Sequence, residues 1–229
     1  MPRSLPCPFF KTWTPDMAYV LGYWFADGNM YFQEGSGGYF VSIGSKDVAH
    51  LEAIHGIIGA GSLRQKTRSD VYELVICRKE VFDDLLHLGG TERKSLTLSW
   101  PFVPDELLAD FVRGYIDGDG SLDWKETQPR ITALGSKSFL PGMAEAMKMA
   151  TGIAVPLCHR HGALGRIGRM FWYGLHAKCL AIWLYHNNQG LCLERKRAIA
   201  YDFIGWEPKI LHKHRVTPKM WDLFGAYLP

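Results

Sequence analysis

Apolar residues follow two alternating periods along this chain, and the order of those periods is the same in its two halves. In "TPDMAYVLGYWFADG" (Thr14 to Gly28) Val20, Leu21, Tyr23, Trp24 and Phe25 leave almost no polar face. Thr14 is placed to cap a helix, Pro15 takes its first position, Asp16 lies in its first turn and Gly28 stops it. A helix apolar nearly all round is buried on most sides. "PDELLADFVRGYIDGDG", from Pro104, repeats the Pro-Asp start and the apolar profile through Phe111, Val112, Tyr115 and Ile116. After each helix the pattern becomes alternating, the mark of half-buried strands. "NMYFQ" and "YFVSIGS" flank "GSGG" in the first half; "SLDWKET" and "RITALGS" follow in the second. A helix comes next in each half ("KDVAHLEAIHGIIG", "KSFLPGMAEAMKMATG"). Two further strands follow it ("SLRQKTR" with "VYELVIC", "VPLCHRH" with "RMFWYGL"), and a last helix closes each half. The predicted order is αββαββα, twice, an α+β chain with one half at 1–100 and the other at 101–229.

The halves share letters as well as periods. Gly22, Tyr23, Asp27 and Gly28 reappear 92 positions on as Gly114, Tyr115, Asp119 and Gly120. "IGSKD" (from Ile43) resembles "LGSKS" (from Leu134), and "ERKS" (from Glu92) resembles "ERKR" (from Glu194). Such a period is too long for a solenoid and reads as a duplicated domain.

Gly22 and Gly114 sit in helix interiors, where glycine costs about 1 kcal/mol against alanine. Close approach of two backbones is the usual reason. If the two helices touch through these glycines across a pseudo-twofold axis, Asp27 and Asp119 converge at one end. The last carbonyls of both helices and their macrodipoles then add negative character to that place. Oxygen ligands of this kind suit Mg²⁺, and two metals beside two acids can clamp both oxygens of a phosphodiester displacement. A single Asp-Gly is better read as a turn into a hairpin. Two copies, each five residues beyond a buried glycine, favour the site. "DGDGSL" is not an EF-hand loop, because Leu122 stands where that loop needs glycine.

Composition changes the picture in two ways. The net charge of +3 conceals an uneven distribution: residues 159–219 carry 11 Lys and Arg against 3 Asp and Glu, and six of the nine histidines. That asymmetry favours a polyanionic partner. Five scattered cysteines without a CxxC pair exclude a disulfide framework or zinc ribbon, and "MPRSLPCPFFKTW" has no apolar region of a secretion signal. With no apolar run of membrane-spanning length, the expectation is a free-standing protein of a reducing intracellular compartment, not secreted and without membrane contact. "HRH" (His159 to His161) and "HKH" (His212 to His214) lack the spacing and cysteine partners of a zinc site.

At its two Asp-Gly helices the chain resembles the single-chain, two-motif LAGLIDADG homing endonucleases. "VLGYWFADG" matches the nine-letter motif at Gly22, Ala26, Asp27 and Gly28; "VRGYIDGDG" matches at Gly114, Ile116, Asp117, Asp119 and Gly120. The first copy departs at Phe25, where the motif has Asp, a position that is not the family's metal ligand. The resemblance covers essentially the whole chain. It implies two pseudo-twofold-related halves that meet at the motif helices and two curved antiparallel sheets forming a DNA-binding saddle. It implies metal ligation by Asp27 and Asp119 with the carbonyls of Ala26 and Gly118. Lys94 and Lys196 are then the catalytic lysines that activate water or stabilise the phosphate. Mg²⁺ is the implied cofactor, with Mn²⁺ able to substitute and Ca²⁺ binding without turnover. Many relatives direct a glutamine of the second strand at the active site; Ser42 and Ala133 take that place here. The implied protein is a monomer, an intron-homing endonuclease that cuts both strands of a long asymmetric duplex across the minor groove.

Alternation then nominates the residues facing DNA. Met30, Phe32, Leu122 and Trp124 point inward; Asn29, Tyr31, Gln33, Asp123, Lys125 and Thr127 point outward, with Ser42 and Arg130 on the neighbouring strands. "LRQKTR" places Arg64, Lys66 and Arg68 on one face, and Arg160, Arg166 and Arg169 gather around a Gly-rich turn. Arginine reads guanine bidentately and lysine meets phosphates. Two alternatives stay open: an RNA-binding intron maturase of the same fold, with intron RNA as partner, and a DNA-binding protein without catalysis. Paired acids facing phosphate argue against the second; location of the reading frame inside an intron would bear on the first.

Overall fold

In the computed structural model, which describes residues 7–35, 37–92, 97–154, 158–161 (backbone only), 167–186, 188–208 and 216–228, helix α1 (Pro15–Asp27) starts where the Thr14 side chain accepts a hydrogen bond from the Met17 amide at 3.1 Å. Every residue from Met17 to Phe25 is buried, as an all-round apolar helix requires. Strands β1 (Gly28–Gln33) and β2 (Gly38–Ser45) form a hairpin, α2 (Val48–Ile58) crosses, β3 (Ser62–Gln65) and β4 (Tyr72–Ile76) form a second hairpin, and α3 (Lys79–His87) ends the series. The sheet is antiparallel in the order β1-β2-β4-β3. Met30, Val41, Ile43, Leu74 and Ile76 share its buried face, against α1, α2 and α3. The opposite face is open.

The second series is α4 (Leu108–Asp119), β5 (Gly120–Lys125), β6 (Gln128–Ser136), α5 (Leu140–Thr151), β7 (Cys158–His161), β8 (Ile167–Tyr173) and α6 (Leu175–Tyr185). Its sheet repeats the order as β5-β6-β8-β7, with Leu122, Ile131, Ala133, Met170 and Trp172 in the core. Thus αββαββα occurs twice. Two helices, α7 (Glu194–Gly205) and α8 (Pro218–Phe224), extend the second series beyond it. Helix α7 packs on α6 and β5, and Lys178 of α6, though buried, donates to the Trp206 carbonyl (2.8 Å) and to Glu207 (2.9 Å). Cys7, Cys77, Cys179 and Cys192 are free thiols. Among the described residues no helix is long and apolar enough to cross a membrane.

The chain divides into compact units at Gly118 and Asp119. The reason is the packing of α4 on α1 within the first unit. A Cβ on Gly22 would overlap the Phe111 carbonyl and stand 3.1 Å from the Tyr115 nitrogen. A Cβ on Gly114 would overlap the Tyr19 carbonyl and stand 2.9 Å from the Tyr23 nitrogen. Tyr19 and Tyr23 hold in the first motif the places that Phe111 and Tyr115 hold in the second. The contact is therefore reciprocal, and only glycine permits it.

The flanks of this helix pair are not alike. On one, the Tyr19 hydroxyl donates to Asp117 Oδ2 at 2.7 Å and lies 3.1 Å from His50 Nε2, and Asp117 is 1% exposed. Arg113 lies over the Tyr19 ring at 5.3 Å and pairs with Asp110 at 2.5 Å. On the other, the repeat-equivalent residues are Phe111 and Phe25, edge-to-face with centroids 5.5 Å apart. The motif aspartate absent at position 25 is thus matched by the absent hydroxyl at position 111.

Three substitutions test this packing in urea unfolding. Gly114→Ala is expected to lower stability by about 2 kcal/mol or more, since backbone rather than a flexible side chain blocks the methyl. Gly56→Ala, in α2 with open space around it, is expected to raise it by up to about 1 kcal/mol. Phe25→Asp, although it supplies the motif's own residue, is expected to cost about 3 kcal/mol, because it places a carboxylate against Phe111.

Candidate active site and nucleic-acid interface

Asp27 ends α1 as an exposed carboxylate at the tip of a buried helix. Within the same unit the backbone of Gly118 lies against it. A Cβ on Gly118 would overlap that of Ala26 and stand 3.4 Å from Asp27 Oδ2. A side chain at either residue before Asp119 would therefore matter differently: Asp117 is turned into the core, and Gly118 must remain bare for α4 to close on α1. Asp119 is the last residue of α4 and begins the second unit.

In the second unit Asp119 borders an open groove of about 220 Å³ on the uncovered face of the sheet, with Ser121, Arg130, Thr132, Arg169 and Phe171 around it. Lys196, near the start of α7, is 3% exposed and donates from Nζ to the Gly120 carbonyl at 2.7 Å. A buried ammonium is thereby fixed one residue beyond the acid. Lys94, its counterpart in the repeat, lies outside the described residues. Glu92, just before it, accepts a hydrogen bond from the Phe32 amide at 2.9 Å.

Asp27 at the C-terminal end of α1 and Asp119 at that of α4 are each an oxygen donor of the kind a hard divalent cation accepts. Among the described residues no group of three or more His, Cys, Asp or Glu could hold a metal ion. The side chains of His159 and His161, and all of His212 and His214, fall outside what is described.

On the open face of the first sheet Asn29, Tyr31 and Gln33 point to solvent. Ser42 pairs opposite Asn29 but is largely buried, and its hydroxyl donates to Glu73 at 3.4 Å. Glu73 also takes Arg64 at 3.1 Å and Lys66 at 3.2 Å. Burial pushes the Glu73 carboxyl upward, yet the hydrogen bonds from Lys66 and Arg64 outweigh it and hold the group below its ordinary value. Glu73 escaped the sequence reading, although the alternation of "VYELVI" puts it on this face. Arg68 leaves the expected row. The strand stops at Gln65, and Arg68 adopts a left-handed backbone (φ 57°) in the turn to β4.

In the second sheet Arg130 and Asp123 are direct cross-strand partners joined at 2.6 Å. Lys125 lies over Tyr173 at 5.4 Å and Arg169 over Phe171 at 5.4 Å. Thr127 is in the β5–β6 turn, where its carbonyl accepts from Trp206 Nε1 at 3.0 Å. Arg160 lies in β7, of which only the backbone is described, and Arg166 falls outside the described residues.

Two inward expectations need correction. Phe32 is 40% and Trp124 44% exposed, for both lie near hairpin tips. Phe32 leans on Tyr39 across the hairpin, and Trp124 meets Phe203 of α7 edge-on. The register also replaces Ala133 by Thr132 as the counterpart of Ser42. Ser42 faces Asn29 and Thr132 faces Ser121, whereas Ala133 pairs with Gly120 and is buried in the core. The connection from β5 to β6 is two residues shorter than that from β1 to β2, which shifts the letters against the register.

No protein-family model and no curated protein sequence matches the chain. Solved structures do. Mesophilic variants of the homing endonuclease I-DmoI superpose with a TM-score of 0.61 at 14% identity, over 82% of this chain and 97% of theirs. The LAGLIDADG homing endonuclease I-LtrWI, bound to target DNA, gives 0.58 at 9% identity over 86% and 90%. The meganuclease I-SmaMI, bound to uncleaveable DNA, gives 0.55 at 15% over 94% and 96%. I-DmoI has also been solved with DNA and Ca, and with target DNA in the presence of Mg. At such identities the likeness is one of architecture: two series of αββαββα, each with its own four-stranded sheet, give this chain the fold of the LAGLIDADG homing endonucleases.

Proposed function

We propose that the protein is a divalent-metal-dependent, sequence-specific DNA endonuclease that hydrolyses both strands of a long asymmetric duplex across the minor groove, as a monomer. The observation that carries this reading is the closure of Gly118 onto Asp27. The next residue along the chain is Asp119, so the two acids are expected to hold a cation jointly. Two uncovered sheets with outward arginines, lysines and amides are the surfaces such an enzyme needs, and the solved neighbours include complexes with target DNA.

The bound ion would supply Lewis-acid stabilisation and a more acidic water. The chain's own residues do the rest. Asp27 and Asp119 provide its carboxylate ligands and the Ala26 and Gly118 carbonyls neutral ones. Lys196, locked on the Gly120 carbonyl, puts a fixed positive charge beside the place where the phosphate gains charge, and Lys94 is assigned the same task in the first half. Electrostatic groups set in advance stabilise such charge without reorganising. Mg²⁺ is the proposed physiological ion, with Mn²⁺ active and Ca²⁺ binding without turnover. Intron homing is the proposed setting.

The test begins with selection of a binding site from random duplex DNA in Ca²⁺, followed by cleavage in Mg²⁺. Asp27→Asn and Asp119→Asn are each expected to reduce cleavage about 100-fold or more, with the thermal midpoint unchanged or raised. Lys196→Met is expected to reduce cleavage about 10-fold to 100-fold. Specific binding without cleavage in Mg²⁺ or Mn²⁺ would refute the nuclease and leave a binding protein. Retention of structured intron RNA with no selectable duplex would favour the splicing cofactor.

A further inference from the structure

The two open sheet faces carry opposite chemistry at one register position. In the first sheet Tyr31 of β1 stands directly opposite Phe40 of β2. In the second, Asp123 of β5 stands directly opposite Arg130 of β6. Counted from the glycine that starts each hairpin, these are the same place: Tyr31 and Asp123 are each three residues beyond Gly28 and Gly120. The first pair is apolar and flat, rings stacked with centroids 4.9 Å apart and planes 9° from parallel, and Tyr31 is 41% exposed. The second pair is charged, with Arg130 Nε donating to Asp123 Oδ1 at 2.6 Å.

Arg130 is held from both sides. Asp123 flanks it on β5, and Tyr173 is its direct partner on β8. Its guanidinium is made still more basic, first by the hydrogen bond to Asp123 and to a lesser degree by Tyr173. Of its five N–H donors one goes to Asp123 and another to Tyr173, and the rest of the planar fork is left for a partner. A fork of that kind matches the O6 and N7 acceptors of guanine in the major groove, while an apolar aromatic surface matches the C5-methyl of thymine. The carboxylate makes no match with phosphate or with guanine; its place is to fix the arginine.

Resting on the proposal that this protein binds duplex DNA, we infer that Arg130 selects a guanine in the half-site read by the second sheet and that the Tyr31–Phe40 pair selects a thymine methyl in the half-site read by the first. Asp123 is a positioning residue for Arg130.

The test uses wild-type protein in Ca²⁺ and the duplex recovered by selection. That duplex is remade with 7-deazaguanine at each guanine in turn and with deoxyuridine at each thymine in turn. One 7-deazaguanine is expected to weaken binding about tenfold or more, and the penalty is expected to vanish in Arg130→Met, which keeps the length of the side chain and loses every donor. Asp123→Asn is expected to shrink the same penalty and no other. In the opposite half-site one uracil is expected to weaken binding about threefold, and Phe40→Ser to abolish that sensitivity. The inference is overturned if Arg130→Met weakens all duplexes equally and leaves every analogue penalty in place, which is the behaviour of a phosphate contact. Cleavage separates the two claims. Analogue penalties that map as described in a protein that never cuts would sustain the inference and sink the nuclease. Cutting without them would do the reverse, and the absence of any selectable duplex would sink both.

Discussion

The backbone contact between α1 and α4 is the constraint on which the rest depends. Each helix needs a bare Cα where the other's carbonyl passes, and the chain meets that need with one glycine per motif, at Gly22 and Gly114. The helix-interior cost of each glycine, about 1 kcal/mol, is offset by the apolar surface buried along the pair: Leu21, Trp24 and Phe25 on one side, Phe111, Val112 and Ile116 on the other are almost wholly removed from water. Five residues beyond each glycine comes an aspartate, and one residue beyond that a strand begins. Spacing within the helix therefore sets both the position of the acids and the point from which each sheet departs.

The same helix pair shows how two copies of one plan diverge without losing fit. A duplication begins with identical flanks. Here one flank has become a buried polar cluster of Tyr19, Asp117, His50 and Arg113, and the other an aromatic cluster of Phe25 and Phe111. A carboxylate buried opposite a phenylalanine, or a hydroxyl buried opposite another, would each leave a polar group without compensation. The pairs consequently change together. The departure from the motif at Phe25 is a packing solution on the far flank and has no bearing on the acid two residues later.

Much of this was legible in the sequence because it rests on short-range rules. Helix starts at Thr14 and Pro15, the alternation that puts Met30 and Leu122 inward, and the paired Gly-x5-Asp spacing all follow from local periodicity. What escaped depends on distance along the chain. "IGSK" and "LGSK" invite a match of Ile43 with Leu134, yet Ile43 lies in the core while Leu134 borders the groove on the open face. The tighter second hairpin shifts the strand, and a one-residue slip turns each side chain to the other face. Arg68 fails for a related reason: alternation holds only while the strand lasts. Among the described residues helices α7 and α8 have no counterpart in the first series; the repeated "ERK" singled out Lys196 but not the helix that carries it.

A sheet that is to face a polyanion carries a carboxylate at a cost, and both sheets carry one. Glu73 is surrounded by Arg64, Lys66 and Ser42, and Asp123 is bound to Arg130. Neither acid stands alone, so neither presents a bare negative charge to phosphate. Each instead restricts the long side chains beside it, lowering the ordering entropy that binding would otherwise lose. At the place of Glu73 the second sheet has Arg169, opposite Leu134 as Glu73 is opposite Gly44. The basic surplus of residues 159–219 belongs to that same half of the sequence. In the proposed complex, then, the long-range attraction and its salt dependence reside chiefly in the second unit. The first unit contributes amides, stacked rings and an ion cluster in which Glu73 offsets part of the charge of Arg64 and Lys66. Such a division requires an unequal pair of half-sites, and that inequality is what a single chain can encode and a symmetric dimer cannot.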